Sequence, residues 1–441
     1  MPAKRNVPSR PRHKLWLALS ATLLVLGVAC GSAATSASPT PAPPTNTPAS
    51  APETTSTPEP APTGTPNAIE QPAADTKRIV DIAAVPMVNT SIASVPLNDI
   101  VFDTFGRSLA RFVPLDRATE EFILELRDAI VPIYQPAYGV GEDLPWLSDD
   151  DLVIGYVSGD EAYAYPINIL DFHELINDEI GGIPVLITYC PLCASGVVYS
   201  RVLDGETLLF GNTSALYQSD LVMYDHQTGS YWFQTGGEAV VGSLTGAHLD
   251  LLPSTTMSWG EWKKLHPETQ VLTGTIGSPT RFSSPRYHGG IFSGYQDRVN
   301  EDDFAFPVDS DKLDNRLLSG DLVLTVEVGD AVTAYPLERI GDAAVNDWVG
   351  GEPVVVFSRE NSRAAGAFSR EVEGQVLTFD YRAHDDSFVD QETGSLWDAA
   401  GRATSGPLVG AQLERMNTRR AFWFSIVIAF PDVNLYLPDS K

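Results

Sequence analysis

The feature that most constrains this chain is that it matches itself. Residues 164–184 read AYPINILDFHELINDEIGGIP, and residues 334–353 read AYPLERIGDAAVNDWVGGEP. Both carry Ala-Tyr-Pro and then Asn-Asp-x-x-Gly-Gly-x-Pro about a dozen residues later. Asp225-x-x-Thr228-Gly229-Ser230-x-Trp232 returns as Asp390-x-x-Thr393-Gly394-Ser395-x-Trp397. Gly242-x-x-x-Gly246-x-x-Leu249 returns as Gly406-x-x-x-Gly410-x-x-Leu413, and Trp259 and Pro267 return as Trp423 and Pro431. The offset drifts only from 170 to 164, so short loop deletions relate the copies. Two long copies predict two similar domains, not a solenoid of many short repeats.

Each copy has the same local grammar. A short helix follows Ala-Tyr-Pro, with Pro166 suited to its first turn. A buried strand follows, over Pro184 to Tyr189 in one copy and Pro353 to Phe357 in the other. Short runs rich in Val, Leu, Tyr and Phe predict strands at 196–202, 207–210, 221–224 and 231–234, separated by Gly, Asp and Asn turns. A Trp-bearing helix, 258–265, stops at His266-Pro267. Strands joined by short turns pair antiparallel. The expected fold is therefore α+β and β-rich: two internally duplicated, mainly antiparallel β domains with short helices. Repeat 1 occupies 151–275, a connecting segment 276–325 and a degenerate repeat 2 326–441, with 76–150 a lead-in to the folded body.

The first 75 residues have a different character. Residues 1–14 are basic, and 15–29 (LWLALSATLLVLGVA) are apolar and end in small residues. This is the pattern of a cleaved export signal over 1–29, too short for a comfortable span. Cys30 follows Gly27-Val28-Ala29, which resembles a bacterial lipobox and makes Cys30 the expected lipidation site. Residues 30–75 carry no aromatic residue, and 11 of the chain's 33 prolines lie between Pro39 and Pro72. Such a stretch cannot bury enough apolar surface to fold and reads as a disordered tether. The expected location is extracytoplasmic, lipid-anchored to the bacterial cell envelope, with the membrane as one partner. With 57 acidic against 29 basic residues and a net charge of −28, nucleic acid is excluded as a partner.

The duplication also supplies an internal control. Residues shared by both copies belong to the scaffold; residues found in one copy only are site candidates. Cys190 falls opposite Arg359, Cys193 opposite Ser362, Met223 opposite Phe388, and His226, His248 and His266 opposite Gln391, Gln412 and Phe430. His173 falls opposite Asp342 or Ala343. Every Cys and His of repeat 1 is thus absent from the matching place in repeat 2.

Cys190-Pro191-Leu192-Cys193 is the sharpest chemical feature, and apart from Cys30 these are the chain's only thiols. Pro191 predicts a first-turn position, which would set Cys190 near a helix N-terminus and lower its pKa. Three uses compete. A redox-active dithiol is the first, with an unidentified thiol or small-molecule redox partner; thiol–disulfide oxidoreductase is the enzyme class it would suit, though enzymatic status stays open. A Cu or Zn site on Cys190, Cys193, Met223 and His173 is the second; otherwise no cofactor is expected. A static disulfide is the third. His173 and Asn177 would share one helical face, with His173 a candidate acid/base or ligand. Ser214, Tyr217, Asp220, Met223 and Asp225 are candidate pocket residues. No Walker A, Rossmann glycine fingerprint, HExxH or GxSxG is present.

These residues together resemble a bacterial family, domain of unknown function 3179. The resemblance rests on His173-Glu174-x-x-Asn177-Asp178, Tyr189-Cys190-Pro191-Leu192-Cys193, Leu216-Tyr217-x-Ser219-Asp220, Met223-Tyr224-Asp225-x-x-Thr228-x-Ser230-x-Trp232-x-Gln234, Trp259-x-x-Trp262 and His266-Pro267, and covers roughly residues 95–437. Ala194 and His226 depart from the glycine and arginine common there. The resemblance implies relatives with selenocysteine in this motif, which favours redox chemistry over a static bridge, and it implies no substrate.

Overall fold

A computed structural model describes residues 82–106, 110–140, 144, 146–275, 287, 292 and 294–438. The export signal, Cys30 and the tether lie outside them. The described residues form one compact unit built on strands, with six short α-helices.

Two large sheets carry the architecture. The first has seven strands. A meander of Leu175–Ile180, Ile183–Cys190 and Ser195–Ser200 joins Asn417–Phe422, Leu322–Val328, Ala331–Pro336 and Asn434–Leu435. The second has eight strands. A meander of Ala343–Val349, Glu352–Arg359 and Ala364–Ser369 joins Ser254–Ser258, Leu152–Ser158, Glu161–Pro166, Gln270–Thr275 and Pro136–Gly139. Each sheet thus combines a three-strand meander from one half of the chain with strands from the other half. Pairing is antiparallel except where Gln270–Thr275 meets Glu161–Pro166 and Asn434–Leu435 meets Ala331–Pro336. The two halves are therefore interleaved rather than folded as separate domains, because each supplies strands to both sheets.

A six-stranded sheet runs Glu238–Val241, Tyr231–Phe233, Asp220–Asp225, Phe210–Tyr217, Ile100–Asp103 and Phe112–Pro114. Its period-2 alternation divides two cores. Leu221, Met223 and Trp232 pack with the two cysteines. Val222, Tyr224, Tyr231 and Phe233 pack on the opposite side against Ile100, Phe102 and Leu126 of the lead-in.

Local sequence explains most elements. Val185 to Cys190 is buried throughout, as a strand covered on both faces must be, so it reads as a continuous apolar run. Ser258 caps the helix Trp259–Leu265 by accepting from the Glu261 amide at 3.3 Å. Pro166 precedes the helix Ile167–His173. One expectation fails here: His173 and Asn177 do not share a helical face. Glu174 adopts φ +57°, which ends the helix, and Asn177 lies in the strand Leu175–Ile180.

The recurrent residues make recurrent hydrogen bonds. Asn177 clamps the backbone of Phe210, its Nδ2 donating to the carbonyl and its Oδ1 accepting from the amide, each at 2.8 Å. Asn346 holds Phe379 in the same way. Arg201 donates to the carbonyls of Val185, Leu208 and Asp178, and Arg370 to those of Val354, Leu377 and Asp347. Asp225 accepts from Thr228 and the Trp232 indole, as Asp390 does from Thr393 and the Trp397 indole.

Candidate functional site

Cys190 ends the strand Ile183–Cys190, the middle one of its meander, and pairs with Ser195. Residues 191–194 form the tight turn between them. The Cys193 amide donates to the Cys190 carbonyl at 3.2 Å, and Ala194 takes φ +48°. This is a hairpin turn, so no helix N-terminus lies at Cys190 and the expected lowering of its pKa is absent. Both thiols are shifted the other way. Burial raises each, Cys193 strongly, and Asp220 raises both further. The two Sγ atoms lie 3.1 Å apart, on residues 1% and 0% exposed, and Cys193 Sγ donates to the Ser219 carbonyl at 3.4 Å.

Two buried carboxylates accompany the thiols. Asp220 opens the strand Asp220–Asp225 and accepts from Ser425 at 2.8 Å through Oδ2, while Oδ1 is buried and makes no hydrogen bond; the Thr235 hydroxyl, the Cys193 thiol and the Leu221 amide lie close enough to favour the charged carboxylate. Burial pushes its pKa up to about 6. Glu174 accepts from Asn212 Nδ2 at 2.6 Å, and burial pushes its pKa up to about 7 against the lowering effect of that bond. Cys190 and Glu174 line one cavity of ≈ 260 Å³ together with Asn212, Ser214 and a mainly apolar wall that includes Leu192, Leu216, Leu221 and Phe306. Cys193 is not among its lining residues. Strain gathers here: Glu174, Ala194, Ser214 and Ser219 all have φ between +48° and +63°. Non-glycine residues hold that conformation only where their surroundings impose it, most often at functional sites.

The structure brings together some of the sequence candidates and not others. Cys190, Cys193 and Asp220 each place a ligand atom within 4.8 Å of the others. Met223 shares the apolar cluster of the thiols, and Ser214 lines the cavity with its Oγ donating to the Leu126 carbonyl at 2.9 Å. His173 is engaged elsewhere: Nδ1 meets the Val131 carbonyl at 2.7 Å and Nε2 the Tyr287 hydroxyl at 3.0 Å. The group at the thiols is instead its neighbour Glu174. Tyr217 packs in the other core and accepts from Lys312 at 2.9 Å. Asp225 is engaged by the Thr228–Trp232 turn, a bond pattern it shares with Asp390, and does not line the cavity.

Sequence reading gives Glu174 no role of its own and places Asn212 only within a polar loop, Gly211-Asn212-Thr213-Ser214, that could line a pocket. The same comparison of halves that singled out the cysteines could have found them, because Ala343 and Tyr381 stand at the matching positions. In the other meander, Arg359 ends the strand Glu352–Arg359 as Cys190 ends its own and pairs with Ala364. It forms ion pairs with Glu261 and Asp386. A salt-bridged arginine thus fills the place a thiol holds in the first half.

A family model described as protein of unknown function (DUF3179) matches residues 127–433. The chain belongs to this family. The match takes in both meanders, the Cys-Pro-Leu-Cys turn and both buried carboxylates. No curated protein and no solved structure matches the chain. Among the described residues no helix is long and apolar enough to cross a membrane.

Proposed function

We propose that this DUF3179 protein is an exported, lipid-anchored thiol redox protein whose reactive group is the Cys190/Cys193 pair. The observation that carries the reading is the pair itself: two buried sulfurs 3.1 Å apart, one facing a cavity that also holds a carboxylate of raised pKa. In the reaction the two thiols give up two protons and two electrons to a small acceptor in the cavity, and an Sγ–Sγ bond forms. Cys190 meets the acceptor, because its residue lines the cavity, and Cys193 resolves the adduct from behind. Glu174 takes the Cys190 proton. A thiol only 1% exposed leaves no room for a folded protein's disulfide, so the acceptor is a small molecule. A low-molecular-weight thiol, entering by the same cavity, returns the pair to its reduced form.

The recurring strand order and hydrogen bonds support an internal duplication in which each half lends its meander to the other's sheet. The first half keeps the chemistry. Export and anchoring rest on residues 1–30, with the membrane as the partner of Cys30.

A second reading is favoured by one observation. Asp220 Oδ1 is buried without a hydrogen bond beside two thiols, an anionic set of two soft sulfurs and one carboxylate that suits Zn, with the sulfurs alone suited to Cu(I). Replacing each cysteine in turn by serine separates the two. The redox reading expects Cys193→Ser to trap a mixed adduct on Cys190, with no metal lost. Stoichiometric metal that either replacement removes would overturn it.

A further inference from the structure

Across the turn from the thiol cavity lies a second pocket, of ≈ 590 Å³. It sits between the two meander turns: Tyr189, Pro191 and Ala194 come from one, and Arg359 and Arg363 from the other. Arg420, in the strand Asn417–Phe422 that joins the meanders, completes it. Leu152, Leu322 and Phe422 give it an apolar side.

Arg420 is the unusual member. It is 7% exposed, yet among the described residues no carboxylate pairs with it. Among the described residues only its Nη1 meets acceptors, the carbonyls of Thr256 and Arg363, at 3.4 and 3.3 Å. Burial lowers its pKa to about 10, with the neighbouring Arg363 cation adding to the fall. Arg359 is neutralised by Glu261 and Asp386, and the wall acids Glu338 and Glu360 lie on exposed residues. A buried guanidinium without a counter-charge is costly, and in a chain of net charge −28 carboxylates were available to pair with it. A guanidinium presents a planar fork that matches a carboxylate or phosphate.

We propose that this pocket binds a small organic anion, its carboxylate or phosphate head held by Arg420 and Arg363 and its apolar body against Leu152, Leu322 and Phe422. At the matching positions the first half has Thr256 for Arg420, Ala194 for Arg363 and Cys190 for Arg359. The second half therefore supplies two cations, Arg359 and Arg363, at places where the first carries the thiol turn. The pocket does not depend on the redox reading, since binding is expected with the thiols reduced or oxidised.

The test is calorimetric titration of the full chain with benzoate, phenyl phosphate and benzyl alcohol at constant ionic strength. One or both anions should bind at one per chain, and the neutral alcohol should not; which anion binds tells a carboxylate head from a phosphate head. Arg420→Met should weaken binding at least tenfold without lowering the melting temperature of the unliganded protein, because an unpaired buried charge is removed. Arg363→Gln, on an exposed residue, should fold normally and weaken binding several-fold. Failure of both anions to bind, equal binding of the alcohol, or unchanged affinity in Arg363→Gln would overturn the proposal.

Discussion

Replacing Asp220 by Asn should make Cys190 more reactive, and only where Asp220 is charged. The ligand oxygen of Asp220 lies within 4.8 Å of both sulfurs. At that separation two unit charges in an effective dielectric of about 20 repel by roughly 3 kcal/mol. Removing the charge favours the thiolate by that amount, on the order of 10²-fold in population at 1.36 kcal/mol per decade. A less basic thiolate is also a weaker nucleophile, with a Brønsted coefficient of about 0.4–0.5, so roughly tenfold remains in the rate. Asn keeps an oxygen for the Ser425 hydroxyl, so the fold should persist. The assay is alkylation by iodoacetamide after anaerobic reduction, read by peptide mapping at Cys190 from pH 5 to 9. Asp220 titrates at about 6, so variant and parent should converge at pH 5 and differ about tenfold above pH 7. Equal rates at pH 8, or a ratio that does not change with pH, would refute the placement of this charge beside the thiols.

Three further outcomes follow from the geometry. Glu174 has its pKa raised from 4.5 to about 7, so the folded state holds its proton more tightly than the unfolded state and stability falls as pH rises between those values. Urea unfolding of Glu174→Gln should lose that fall, worth roughly 3 kcal/mol at most, and an unchanged slope between pH 5 and 7.5 would contradict it. Asn177→Ala orphans a buried amide and carbonyl of Phe210 and should lower stability by about 3 kcal/mol; Asn346→Ala, in a less buried site, should lower it by about 2 kcal/mol in the same denaturation assay. Cys30→Ser should abolish incorporation of radiolabelled fatty acid and release the protein from membranes, and retention of label would exclude Cys30 as the anchor.

Much of the fold is legible in the chain, for identifiable reasons. The strands ending at Cys190 and Arg359 read as continuous apolar runs because both faces are covered. The turns at Asp225 and Asp390 repeat because the same carboxylate must collect an amide, a hydroxyl and an indole. The interleaving of the halves is not legible, because self-similarity reports which elements recur and not which sheet each joins. The His173 to Asn177 stretch misleads because spacing alone cannot show that Glu174 turns into the left-handed region and stops the helix. Thiol burial is hidden for a related reason. Pro191 suits a helix start and a hairpin turn equally, and only the pairing of Cys190 with Ser195 decides between them.

The most direct test of the dithiol is native mass spectrometry of the chain purified without oxygen or chelator. A metal-free mass with two thiols, losing two hydrogens reversibly on mild oxidation as Cys190 joins Cys193, is the expected result. A stoichiometric metal that disappears in Cys190→Ser would contradict it and make the buried Cys190, Cys193 and Asp220 cluster a metal centre.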